Sequence, residues 1–255
     1  MKKNIILACF LLPVFVFAQK DSLLSGVYVW KEPAGKGKTI ASKVLFEGKV
    51  YDMEWLQMSA NSLRSSNTKL QLKVPSNEEH LFIIKSGSLN IVVNDTAYSI
   101  GAGSVALLMP DENFSLQNQS TQPCNYYLMK YRSKQPVDVE RGKTNGGSLV
   151  MDWNKIEFKP HDKGGRRDFF ERPTAMCKRF EMHVSTLNQG LKSHDPHTHR
   201  AEEIVLVTEG KTEMQIADQF YKGKGGSIYY LGSNILHAIQ NDDTAPCTYF
   251  AFQFE

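Results

Sequence analysis

The sequence predicts an all-β protein built as two tandem double-sheet barrels of the jelly-roll type. Three observations carry this: the chain repeats itself, its apolar runs are short and β-branched, and turn residues punctuate them. The repeat organises the rest. Asn118-Gln-Ser-Thr-Gln-Pro-Cys124-Asn-Tyr126 matches Asn241-Asp-Asp-Thr-Ala-Pro-Cys247-Thr-Tyr249 at an offset of 123 residues. The same offset pairs Gly87 with Gly210, Gly103-Ser104 with Gly226-Ser227, and Glu79 with Glu202. With a slip of one residue, Leu56-Gln-Met58 pairs with Phe180-Glu-Met182 and Phe46-Glu47 with Phe170-Glu171. Residues 43–130 and 167–254 are therefore two copies of one unit.

Each copy reads as strands. Leu81–Ile84, Leu89–Val93, Ile204–Val207 and Thr248–Phe254 are runs of strand length and composition. Asn94-Asp95 and Lys222-Gly-Lys-Gly225 supply predicted turns. No segment offers a long helical stripe, and a short helix fits only near Pro173 or within 140–160. Residues 19–135 form the expected first barrel, 136–160 a polar, Gly-containing connection, and 161–255 the second barrel, with Val150-Met-Asp-Trp153 leading into it.

The first 18 residues have the pattern of an export signal. Lys2 and Lys3 precede the apolar core Ile5–Phe17, and Val16-Phe17-Ala18 offers a small-residue cleavage site before Gln19. Lipoprotein processing at Cys9 is the rival, but that cysteine sits inside the apolar run. The run is too short for a comfortable membrane span, so the expected mature chain is periplasmic or secreted, without stable membrane insertion. Loss of Lys2 and Lys3 leaves 28 of 30 basic side chains against 27 acidic ones. A near-neutral chain without a basic stripe argues against a nucleic-acid partner. Cys124, Cys177 and Cys247 form no recognisable disulfide framework and read as small buried residues.

The chemistry concentrates in His197-Thr-His199-Arg-Ala-Glu202-Glu203 and in His237. His197, His199 and Glu203 share one sequence parity, so a β-strand would turn all three to one face, and His237 would arrive from a neighbouring strand. Three imidazoles and a carboxylate suit one divalent transition metal: Mn, Fe, Zn, Ni or Co. Glu202 competes for the carboxylate role, but it has the opposite parity. Its repeat partner Glu79 also persists where the other ligands are gone. Subtracting the repeat offset from the four ligands lands on Val74, Ser76, His80 and Phe114, so the first barrel has lost the set and is expected to be structural.

These residues, with Gly210 after the first group and Gly226–Asn241 around His237, resemble the two motifs of the cupin superfamily. The pattern departs at Gly232, where proline is common, and at Asn234, where glycine is common. The resemblance implies a bicupin with a degenerate first barrel and the metal in the second; a homodimer is plausible on the same ground. The (S)-ureidoglycine aminohydrolases are similar in layout. Their ligand set of Glu, two His and Gln meets His197, His199, Glu203 and His237 here, so that resemblance covers architecture and not substrate. Oxalate decarboxylases usually carry ligands in both barrels. Small single-barrel cupins acting on unsaturated uronates have a similar His/His/Glu/His set.

Around the metal, strand parity nominates His183, Tyr249 and Gln253 for the cavity, with His183 and Tyr249 as proton-moving groups. His194, three residues before His197, is a candidate pocket residue, spare ligand or acid/base group, and Met214 is a candidate for the pocket wall or the core. Four protein ligands leave one or two positions open on a five- or six-coordinate ion, the layout of a catalytic site. The leading expectation is a redox-neutral conversion of a small oxygen-rich substrate such as a sugar acid, keto acid or ureide. The alternatives are an iron dioxygenase and a metal-dependent binding protein without turnover.

Overall fold

The computed structural model describes residues 22–35 and 37–255; the segment expected to be an export signal, with Lys2, Lys3 and Cys9, lies outside the described residues. Among the described residues the chain forms four sheets, and no helix is long and apolar enough to cross a membrane. Two large sheets dominate. One runs Leu149–Met151, Val105–Leu108, Glu79–Ser86, Cys124–Ser133, Met53–Leu63, Ile40–Gly48 in spatial order. The other runs Gly26–Val29, Ser227–Leu231, Glu202–Glu209, Cys247–Phe254, Phe180–Leu187, Gly164–Arg172, Lys159–His161. A four-stranded sheet closes the first barrel and a three-stranded sheet closes the second.

Three apolar clusters follow from this layering. Phe82, Leu89, Ile91, Phe114 and Leu116 fill the first barrel. Leu187, Val205, Met214, Ile239 and Tyr249 line the interior of the second. The largest cluster lies between the barrels, where Met58, Leu81, Met129 and Tyr131 meet Phe180, Phe250, Phe252 and Phe254. Strands with one face in a barrel and the other in this shared layer are buried on both sides. That is why Glu79–Ser86 and Glu202–Glu209 each open with six consecutive buried residues and lack polar alternation.

The barrels exchange strands. Gly26–Val29, from the first copy, pairs with Ser227–Leu231 of the second barrel through Val27↔Tyr229. Leu149–Met151 pairs with Val105–Leu108 of the first barrel through Val150↔Ala106. Both segments and both partners are related by the repeat offset, so the copies trade their leading strands symmetrically. The expected boundaries are corrected accordingly. Residues 26–29 belong by pairing to the second barrel, and 149–151 completes the first instead of leading into the second. Each exchanged strand covers an edge whose backbone groups would otherwise remain unpaired.

The predicted turn at Asn94-Asp95 forms, with both residues at positive φ (49° and 59°). The predicted turn at 222–225 is displaced: Gln219–Lys224 is strand, and the chain turns at Gly225–Gly226, with Gly226 at φ 95°. Gly223 serves close approach instead of a turn, since a Cβ there would meet Tyr229 Oη at 2.1 Å. A helix forms at Val139–Thr144, capped by Asp138, and a 3-10 turn at Trp153–Lys155. Near Pro173 there is no helix: Thr174 and Met176 are held instead by Glu79.

Candidate metal centre

Glu203 enters the second barrel from Glu202–Glu209, with Gln253 and Leu231 as its cross-strand neighbours. The expectation that His197 and His199 share one strand face with it is corrected. His197 forms an isolated bridge with His237, through His197 N–H to His237 O at 3.1 Å and His237 N–H to His197 O at 3.0 Å. Residues 198–201 are irregular, and the strand begins only at Glu202. Convergence therefore comes from a bend stabilised across the loop, where Asn234 N–H donates to His199 O at 2.8 Å. Asn234 takes the left-handed conformation (φ 59°) that a glycine would otherwise supply, and asparagine tolerates it well.

The geometry brings the four predicted ligands together. The ligand atoms of His197, His199 and His237 lie within 4.8 Å of one another. Glu203 Oε2 sits 3.0 Å from His199 Nε2 and 3.3 Å from His237 Nε2. His199 Nδ1 donates to Ala201 O at 2.7 Å and His237 Nδ1 to Ile235 O at 2.8 Å. A carbonyl only accepts, so each neutral ring must present the lone pair of Nε2 to the centre. A carboxylate oxygen is also an acceptor. Lone pairs meeting at these separations need positive charge there, a proton on the ring or a cation between the groups.

Two further observations fit a metal. His197 Nδ1 is buried without a hydrogen-bond partner, and the buried His237 Nε2 has only the Glu203 carboxylate beside it, at 3.3 Å. Glu203 is pushed up by burial, yet the neighbouring His199 and His237 imidazoles outweigh this and hold it at about 2. The Glu203 contact raises His199, whereas burial and then the nearby His194, His237 and His199 rings lower His197. A carboxylate ionised throughout the physiological range and three convergent imidazoles form a nitrogen-rich donor set for a transition ion.

Glu202 faces away. Its Oε1 accepts from Tyr51 N–H at 2.8 Å and from Tyr230 Oη at 2.5 Å, so it joins the two barrels. In the first barrel Val74 and Phe114 are core residues. His80 is buried against Glu78 at 2.9 Å, and Glu78 is also bound by Arg132. Among the described residues, the three-imidazole group of the second barrel is the one cluster able to hold a metal.

A cavity of about 260 Å³ opens beside the centre, and His183, His194, Met214, Tyr249 and Gln253 all line it. Gln253 Nε2 lies 3.3 Å from both His199 Nε2 and Glu203 Oε2. The His194 ring stacks edge-on against His197, with centroids 4.1 Å apart. Tyr249 is buried and hydrogen-bonded to Ser193 and Ser185, with its hydroxyl pushed well above the ordinary tyrosine range by burial. Sequence reasoning missed His161, Lys163 and Arg166, which also line the cavity. The basic Lys163-Gly-Gly-Arg166-Arg167 hairpin was the available signal. There Gly164 (φ 138°) lets the backbone come so close that a Cβ would lie 2.2 Å from Thr186 O.

Comparison with known proteins agrees with this architecture. Residues 183–252 match the family described as Cupin domain. No curated protein matches the chain. Among solved structures, AerE from Microcystis aeruginosa superposes with a TM-score of 0.65 at 16% identity, covering 89% of this chain and 98% of that one. A protein from Escherichia coli, Ylba, gives 0.64 at 14% identity, covering 93% and 95%. An oxalate decarboxylase variant from Bacillus subtilis gives 0.65 at 11% identity, covering 91% and 78%. The superpositions show the fold to be two tandem barrels of the cupin kind. The Cupin domain match spans residues 183–252, and His199, Glu203 and His237 lie within it together with His197.

Proposed function

We propose that this chain is an exported metal-dependent enzyme that converts a small, oxygen-rich anion without net redox change. The observation that carries the reading is the pairing of two charge environments in one cavity. At one end His197, His199, Glu203 and His237 converge, and Lys163 and Arg166 line the same space. An ion held by those four residues would polarise a carbonyl or carboxylate and acidify bound water. The protein's own residues do the rest. Lys163, whose ammonium is held by Ser193 O at 2.8 Å, attracts the substrate's negative charge. Arg166 is paired with Asp168 and Glu181 on the same wall, Gln253 hydrogen-bonds beside Glu203, and His183 or Tyr249 moves protons. Leu187, Val205, Met214 and Ile239 form the dry wall of the cavity. A sugar acid, a keto acid or a ureide has the size and the oxygen content for this space.

Export rests on the Lys2-Lys3 start, the Ile5–Phe17 apolar run and the Ala18 cleavage site. The test is elemental analysis of the purified mature chain, followed by assay against uronate, keto-acid and ureide panels with and without EDTA. Turnover that survives EDTA, or full activity in His237→Ala, would overturn the proposal. A strict need for dioxygen would favour an iron dioxygenase, and tight ligand retention without turnover a binding protein.

A further inference from the structure

We infer that His183 is the proton-transfer group of this cavity and that Glu181 is its positioning residue. The inference deepens the reading of a metal-dependent enzyme and rests on it for the substrate's placement. Three observations carry it: a hydrogen-bonded dyad, its register against the metal centre, and its loss from the duplicate barrel.

His183 Nδ1 lies 2.5 Å from Glu181 Oε1, and Arg166 Nη2 donates to the same oxygen at 2.9 Å. Glu181 is buried, with 6% of its surface exposed, and the guanidinium opposite His183 keeps the carboxyl from turning away. An acceptor at Nδ1 fixes the neutral ring as the Nδ1–H form. Nε2 is then a lone pair without a protein partner among the described residues, on a ring that lines the cavity.

The register sets the distance to the metal centre. Across the large sheet, Glu181, Gln253 and Glu203 form one row, while His183, Ala251 and Val205 form the next on the same face. Two strand spacings, about 10 Å at the backbone, separate His183 from the strand that carries Glu203. Ala251 stands between them, and its small side chain leaves the gap open to a substrate of a few atoms. His183 thus faces the far side of a molecule whose carbonyl would point at an ion held beside His197, Glu203 and His237.

The first barrel supplies an internal control. By its own pairing, Gln57 and Ser59 occupy the places of Glu181 and His183, and Leu128 stands where Ala251 does. The copy that lost the metal residues also lost the dyad and filled the gap between. Tyr249 is a weaker candidate, because it is buried against Ser185 and Ser193 and resists ionisation.

For a 2-oxo acid the step balances without a further reagent. His183 Nε2 takes a proton from the carbon next to the carbonyl, and the C–H electron pair becomes a C=C bond. The carbonyl π pair moves to oxygen, where an ion held by His197, His199, Glu203 and His237 would stabilise the charge. Return of a proton to the same carbon re-forms the carbonyl, restores the ring and completes an exchange.

The test uses the full mature chain loaded with zinc and labelled with ¹⁵N-histidine. Imidazole NMR is expected to show His183 as the Nδ1–H form in wild type and as mixed forms in Glu181→Ala, with Glu181→Gln restoring the single form. In deuterium oxide, loaded wild type is expected to accelerate exchange of the carbon-bound protons of pyruvate and 2-oxoglutarate. His183→Asn should remove about 100-fold of that rate with zinc content unchanged, and Tyr249→Phe should keep most of it. An Nε2–H ring in wild type, an unshifted ring in Glu181→Ala, no acceleration by loaded wild type, or undiminished exchange in His183→Asn would overturn the inference. A chain that takes up no metal defeats the metal reading instead, and leaves the tautomer measurement standing in the metal-free protein.

Discussion

Glu79 and Glu202, related by the repeat, each accept hydrogen bonds from the opposite barrel. Glu79 binds Thr174 Oγ1 at 2.9 Å and Met176 N–H at 3.1 Å. Glu202 binds Tyr51 N–H at 2.8 Å and Asp52 N–H at 3.4 Å. A tyrosine hydroxyl completes each set, from Tyr131 and from Tyr230. The loops they hold are themselves repeat equivalents, so the duplicated chain is stapled twice by one device. This explains why Glu79 persists in a barrel that has lost its metal residues.

Removing a staple leaves buried donors without partners. Glu202→Ala is expected to cost about 2–3 kcal/mol of stability, read from urea unfolding. An unchanged midpoint would show that water replaces the carboxylate without loss.

The same pair sets a pH dependence. Burial raises the pKa of Glu79 and of Glu202. Both groups bind protons more tightly folded than unfolded, so their contribution is complete below the ordinary 4.5 and is lost as pH rises through the folded values. The metal-free double variant with Glu79→Gln and Glu202→Gln should therefore show a flatter melting temperature between pH 4.5 and 7 than wild type. Parallel curves would remove the two glutamates as its source.

Stripping the metal should lower the melting temperature. An ion present at 100 times its dissociation constant contributes about 2.7 kcal/mol, or roughly 5–10 °C for a chain of this size. His237→Ala should abolish most of that difference between zinc-loaded and EDTA-treated protein, as read by calorimetry. An EDTA-insensitive wild type would speak against a bound ion.

Ala251 keeps the cavity open. Ala251→Leu copies the Leu128 of the first barrel and is expected to retain zinc while losing binding of small carboxylates, read by calorimetric titration. Retained carboxylate binding would place the substrate elsewhere. The overpacking cost should stay within about 1–3 kcal/mol.

The exchanged strand protects an edge. Deleting residues 22–30 uncovers Ser227–Leu231, whose partner is Gly26–Val29. The shortened chain is expected to aggregate at concentrations where the full mature chain is monodisperse, by light scattering. Equal solubility would show that this edge needs no cover.

Much of the site was legible in the sequence because its signals are local. Two histidines and a glutamate within seven residues, and a repeat whose other copy lacks them, isolate one centre without any coordinates. Tyr249 and Gln253 could be assigned to the cavity because alternation along a regular strand follows from the pleat alone. The bend at 198–201 could not be, since identical spacing serves a strand or a loop, and the bridge between His197 and His237 decides between them. Glu181 was invisible for a different reason. A carboxylate beside a histidine on an apolar strand acquires meaning only when Arg166, from the adjoining strand, closes on the same oxygen.

The sequence by itself determined the duplicated all-β barrel, the barrel that keeps the metal residues and the residues that converge there. Periodicity and repetition are properties of the chain in order. Tertiary structure alone decided the strand exchange, the twin glutamate staples and the cation-lined cavity with its histidine–glutamate dyad. The exchanged strands and the staples join groups far apart along the chain. The dyad, two residues apart on one strand, is fixed only when Arg166 closes on Glu181 from the adjoining strand. Packing of the sheets determines which distant donors and edges a residue meets.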